Sequence, residues 1–206
     1  MSDVTDYFRT LSDLPAACEA ADANGGALSL ETALDRLVAA VGDLKDYDGK
    51  LMFVGNGGSA SICSHMAIDF TKNAGVPALC FNDGAALTCL GNDLGYENVF
   101  VRQIEAFARP GDLLFAISSS GNSDNIVAAA EAARTRGCRV ATLSGFRPDN
   151  RLRRLGDVNI WAPSGEYGFV EIVHLALCHA VLDLAMGWTA GQGLWSAPAQ
   201  QTEAAA

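Results

Sequence analysis

Four serines, Ser118, Ser119, Ser120 and Ser123, crowd the stretch 118–123 together with Gly121 and Asn122. An apolar run, 113–117, leads into this turn, and an Ala-rich stretch, 125–134, leads out of it, so the turn is read as joining a buried strand to a helix. Free backbone N–H groups and the positive end of the helix dipole favour an anion at such a place, and the hydroxyls add donors suited to a phosphate. The same residues would equally serve as an ordinary polar helix cap, because strand-to-helix loops select Ser, Asn and Asp. A second turn has the same layout. The apolar run 51–54 enters Gly55-Asn56-Gly57-Gly58-Ser59, followed by a helix carrying His65 and Asp69. Its glycines permit positive φ and close approach of backbone to ligand, or simply a tight turn. In an open parallel sheet both turns would lie at the carboxyl ends of strands, where ligands bind near the switch in strand order. The glycine turn lacks the GxGxxG spacing of a dinucleotide site and the GK[ST] of a P-loop, so neither NAD nor a P-loop nucleotide is indicated.

Taken with Leu90-Gly91-Asn92-Asp93, the two turns resemble, in order along the chain, the sugar isomerase (SIS) domain, and within it the phosphoheptose isomerases. The resemblance spans roughly residues 30–188, about the size of one domain. It implies an α/β fold, a three-layer α/β/α sandwich with a parallel, flavodoxin-like sheet. It also implies a phosphorylated sugar substrate and a homotetramer with active sites between subunits.

The chain has three histidines. His65 and Asp69 are four apart and share a helix face, where the family has His-x-x-x-Glu. A late helix carries Glu171 and His179, where the family has Gln and His. These four side chains form a metal set suited to Zn²⁺ or another divalent ion. The plainer alternative is a surface pair at 65 and 69 and a hydrogen-bonded core histidine at 179. Glu171 and His179 would stand about 12 Å apart along one helix, awkward for two ligands of one ion. The helix is irregular there, or begins after Glu171, or different subunits contribute. His174, between them, is expected to pack.

The implied reaction is a ketose–aldose isomerisation of sedoheptulose 7-phosphate, with Asp69 and His179 as the catalytic pair. Asn56, Gly57, Gly58, Ser59, Asn92, Asp93 and Glu171 would meet the sugar, and Ser118, Ser119, Ser120 and Ser123 the phosphate. This chain departs from the family at Asp69 (Glu), Glu171 (Gln), Asn73 (Arg, with Lys72 beside it) and Gly168 (an acid, with Glu166 nearby). A second reading is a non-catalytic module that senses a phosphosugar or binds a partner, similar to the DnaA initiator-associating protein. The trio His65, Asp69 and His179 favours the enzyme.

Strands are expected near 51–54, 78–81, 113–117, 139–143 and 157–161, and helices near 58–72, 96–108, 123–136 and 168–187; this alternation predicts a parallel sheet. Residues 4–23 and 30–44 read as two helices joined by Asn24-Gly25-Gly26. The organisation is thus a helical segment 1–47 packing on the domain or on a partner subunit, a phosphosugar domain 48–188 and a flexible tail 189–206 with Trp195 docked. At 206 residues, half of them hydrophobic, the chain can build one sizeable core. A net charge of −10 argues against nucleic-acid and anionic-membrane surfaces, and leaves phosphate attraction to local donors. The apolar stretch 169–188 is broken by Glu171, His174, His179 and Asp183 and is not read as a membrane span. The six cysteines are scattered without a CxxC, which suits reduced, mostly buried thiols in a cytoplasmic protein.

Overall fold

The computed structural model describes residues 3–191, so the expectations for Trp195 and the rest of the tail beyond 191 lie outside the described residues. Five strands run parallel: β3 (Leu51–Gly55), β4 (Ala78–Cys80), β5 (Leu113–Ser118), β6 (Arg139–Ser144) and β7 (Val158–Trp161). Every residue of β3 and β5 is buried, which is why both read as continuous apolar runs rather than as alternating ones. One face of the sheet is covered by α2 (Leu30–Asp46), α3 (Gly58–Asp69) and α7 (Tyr167–Ala185). The other carries α5 (Val101–Phe107) and α6 (Asp124–Thr135), with α4 (Gly84–Leu94) at its rim.

β3 and β5 are tied together at their amino ends and through their buried rings. At the amino end, Asp112, only 2% exposed, accepts from the Lys50 amide at 3.0 Å and the Arg109 amide at 2.7 Å, and pairs with the Lys50 ammonium at 2.5 Å. Above this, Phe53 stacks on Phe115 with centroids 5.2 Å apart and touches Phe70 at 5.9 Å. All three rings are essentially inaccessible, each contributing about 1.5–3 kcal/mol by burial. Phe70 opens a π-helical turn (Phe70–Ala74) that follows α3 and closes on Gly75, at φ +66°. Its buried ring therefore fixes where the end of α3, and with it Asp69, stands.

The full strand order is β2-β1-β7-β6-β5-β3-β4, where β1 (Glu19–Asp22) and β2 (Ala27–Leu28) form an antiparallel hairpin on the β7 edge. This corrects the single helix expected over residues 4–23. The helix α1 (Val4–Asp13) stops before Pro15, which opens a short 3-10 turn because it lacks a donor and crowds the preceding turn. The hairpin turns at Gly25, φ +79°, with the Asp22 carboxylate accepting from the Gly26 and Asn24 amides, which holds it below the usual carboxylate range. Two further expectations shift. α4 was not anticipated, and the helix expected over 96–108 is a 3-10 turn at Tyr96–Asn98 followed by α5. α7 is long and apolar enough to cross a membrane. Here it packs as a core helix, burying Val170, Val173, His174, Leu177, Cys178, Val181 and Leu182. None of the six cysteines is in a disulfide; Cys18, Cys63, Cys138 and Cys178 are buried, whereas Cys89 is exposed. Burial pushes the Cys178 thiol up to about 12, so it stays neutral.

His174 is completely buried and its Nε2–H donates to the Ser144 carbonyl at 3.1 Å, while Nδ1 has no partner. Burial lowers its pKa to about 4, against 6.5 in an exposed state. The unfolded chain therefore binds the extra proton first. The stabilisation is complete above pH 6.5 and is lost as pH falls toward 4, about 2 kcal/mol of it between pH 7 and 5. Urea unfolding at pH 7 and pH 5 should show this loss in the wild type and not in His174→Gln; parallel pH profiles would remove His174 as the cause.

Candidate functional site

The strand order reverses between β3 and β5: β4 lies outside β3, whereas β5, β6 and β7 follow on its other side. A cleft opens at the carboxyl ends of these two strands, as expected at a topological switch. It holds about 250 Å³, and the glycine turn after β3 and the serine turn after β5 form its walls.

Both helices that leave these turns point their amino ends into the cleft, and neither is capped by a side chain. α3 starts at Gly57 (φ +55°), which offers no capping oxygen. α6 starts at Ser123, whose hydroxyl turns away from its own helix to meet Ser118 Oγ at 3.2 Å. The Ser120 hydroxyl lies 3.5 Å from Ser118 Oγ and accepts from the Asn122 amide at 3.2 Å. Ser118 and Ser119 are nearly buried, so the donors are held rather than solvated. Two uncapped helix starts and a ring of hydroxyls make an anion site. The close packing requires glycine at 55 and brings Glu171 against the bare backbone at 58. A Cβ on Gly55 would lie 2.7 Å from the Ser59 backbone, and one on Gly58 would collide with the Glu171 carboxylate.

Asn56 stands between the turns, and its amide exchanges two hydrogen bonds of 2.9 Å with Asn125 on α6, a buried side chain. The Tyr96 hydroxyl donates to the Asn56 oxygen at 3.2 Å. Tyr167 and Glu171, on the first turns of α7, line the cleft opposite the serines. The sequence reading missed Asn125, Tyr96 and Tyr167. Asn125 did carry a signal, an amide on the buried face of an Ala-rich helix. The two tyrosines carried none.

Two turns further along α3 and α7 a second group forms. His65 Nε2 lies 3.2 Å from His179 Nε2 and 3.4 Å from Asp69 Oδ2. Ligands on a tetrahedral zinc with bonds near 2.0–2.1 Å stand about 3.4 Å from one another, a spacing that the two contacts of His65 match, and all three ligand atoms lie within 4.8 Å of one another. The His65 side chain is 49% exposed, which leaves a side open for a further ligand. Glu171 is not part of this group. α7 is continuous from Tyr167 to Ala185, so Glu171 sits two turns before His179, in the serine cleft. Neither an irregular helix nor a late helix start brings the two together in one chain. Asn92 and Asp93 lie exposed on α4, where Asn92 donates to Asp93 at 2.8 Å, and do not line the cleft of their own chain. Lys72 and Asn73 are exposed in the π turn, Glu166 is exposed before α7, and Gly168 packs near the Tyr7 hydroxyl.

Residues 15–145 match the model of the SIS domain family. The chain belongs to this family. Among curated relatives it is 38% identical over 141 residues to the phosphoheptose isomerase of Aliarcobacter butzleri, covering 66% of this chain and 74% of that one. It is 39% identical over 168 residues to that of Chlorobium phaeobacteroides, covering 77% and 73%. Among solved structures, the phosphoheptose isomerase of Neisseria gonorrhoeae superposes with a TM-score of 0.73 at 30% identity, over 89% of this chain and 96% of that one.

If the cleft holds a phosphate, Ser120→Ala combined with Ser123→Ala should weaken sugar-phosphate binding by about 1.5–3 kcal/mol for each hydrogen bond lost to a charged oxygen. The fold should be retained. Calorimetric titration reads this directly, and an unchanged affinity would remove the serine turn from the phosphate site.

Proposed function

We propose that this protein is a phosphosugar ketose–aldose isomerase that converts sedoheptulose 7-phosphate to D-glycero-D-manno-heptose 7-phosphate. The observation that carries the reading is the pairing of an anion cleft with the His65–Asp69–His179 group two turns further along α3 and α7. The names of the relatives support the substrate. A module that only sensed a phosphosugar would have no use for that group.

The chemistry moves a proton from C1 to C2. A base takes the C1 proton, the ketone oxygen gains a proton to give an enediol, O1–H then gives up its proton as C1 becomes the aldehyde, and C2 is reprotonated. Asp69, the carboxylate in the group, is the base that carries the proton between carbons. His179 serves the oxygens. Its Nε2 lies 3.2 Å from that of His65, within hydrogen-bonding distance. Asn56, fixed by Asn125 and Tyr96, orients hydroxyls, and the serine turn holds the phosphate.

The same donors also suit a divalent cation, most simply zinc; a cation held by His65, Asp69 and His179 would polarise the carbonyl oxygen in place of the proton from His179, and Asp69 would act as base through its remaining oxygen. Glu171 cannot join it within the chain. A homotetramer with active sites between subunits would let Glu171 of one copy complete the set of another, and the exposure of His65 agrees with such an arrangement.

Asp69→Asn should abolish isomerisation and spare sugar-phosphate binding, since it keeps the shape and removes the proton acceptor. NMR of sedoheptulose 7-phosphate in deuterated water, with and without zinc, reads both turnover and deuterium uptake beside the carbonyl. Full activity in Asp69→Asn would transfer the base to another residue. His65→Ala and His179→Ala should each lower the metal content of the purified protein; an active protein free of metal would take the cation out of the mechanism.

A further inference from the structure

The serine turn is held from behind by the loop that follows β6. We propose that Asn150 is the positioning residue that sets this turn for phosphate, a role that rests on the phosphosugar reading above. Asn150 is 1% exposed and lies in the connection after β6. Its Nδ2 donates to Arg147 O at 2.8 Å, Ser144 Oγ at 3.2 Å and Gly145 O at 3.3 Å, while Oδ1 accepts from the Arg153 amide at 3.2 Å. One amide thus ties the two arms of the loop together.

Both arms grip the serine turn. The Gly145 amide donates to Ser119 O at 3.0 Å from one side; from the other, the Leu152 amide donates to Gly121 O and the Arg151 amide to Asn122 Oδ1, each at 3.0 Å. Gly121, at φ +64°, rests directly on Asn150, and a Cβ there would collide with the Asn150 amide. The Ser144 carbonyl at the head of the loop is the acceptor for His174, which continues the polar path to α7. Ser119, Gly121 and Asn122 therefore take their positions from a frame that Asn150 closes. Phosphate recognition depends on donor placement within a fraction of an ångström, and a displacement near 1 Å is worth about a hundredfold.

A plainer role is also visible: Asn150 caps the 3-10 turn Arg151–Arg154 through Oδ1. Asn150→Ser separates the two, because serine keeps a capping oxygen but loses the Nδ2 donors and the contact with Gly121. Kinetics with sedoheptulose 7-phosphate and calorimetry with inorganic phosphate are measured on wild type, Asn150→Ser and Gly121→Ala, with urea unfolding as the check on folding. Positioning predicts a KM and a phosphate Kd raised about ten- to a hundredfold in Asn150→Ser with kcat changed far less, and the same pattern in Gly121→Ala. Wild-type KM and Kd in a folded Asn150→Ser would overturn the proposal and leave only the cap. A wild type that binds phosphate but does not isomerise the sugar refutes the isomerase reading alone, and the phosphate titration still decides on Asn150. A wild type that does not bind phosphate overturns both.

Discussion

Two helix starts without caps, aimed at one point, are the constraint on which the rest of this structure depends. The amino ends of α3 and α6 meet where the sheet changes direction, and their first N–H groups are left for something other than a side chain of the chain itself. Ser123 occupies a capping position yet gives its hydroxyl to Ser118. In a protein with net charge −10 the overall field repels an anion, so these aligned dipoles and hydroxyls must supply the attraction locally. Gly55 follows from the same demand, since a Cβ there would strike the Ser59 backbone at the start of α3.

The spacing of the two polar groups is set by helix geometry. α3 and α7 both contribute to the cleft, Gly58 and Glu171 among its lining, and each contributes one histidine to the second group, His65 and His179. Seven and eight residues are both close to two turns, so the helices lie side by side and present matching positions at the same heights. This arrangement separates the anion-holding end from the proton-handling end by about 10–12 Å. It also places the carboxylate of Glu171 in the wall of the serine cleft.

What was legible in the sequence is what local pattern encodes. The buried strands β3 and β5 are apolar runs bounded by turns, and both turns announce themselves through Ser and Gly. The edge hairpin was not legible as strand: β1 is short and alanine-rich, and its partner β7 lies more than a hundred residues away, so no local period marks it. Pro15 was nevertheless a readable stop. α4 escaped because Gly84, Thr88 and Gly91 lower its helix propensity, although Asp83 does cap it, accepting from the Ala86 amide. Within the site, His65 and Asp69 could be paired from spacing alone, whereas the separation of Glu171 from the histidines needed the continuity of α7. Asn125 and Asn150 act through partners from distant segments, which a linear pattern does not display.

A crystal structure of Asp69→Asn with sedoheptulose 7-phosphate would show where the two ends of the sugar sit. The account predicts the phosphate between residues 57–59 and 118–123, within hydrogen-bonding reach of the α3 and α6 amides, and the C1–C2 end of the sugar beside a His65–His179 pair, from the same chain or a neighbouring copy. A phosphate seated elsewhere, with both helix starts open to solvent, would contradict it.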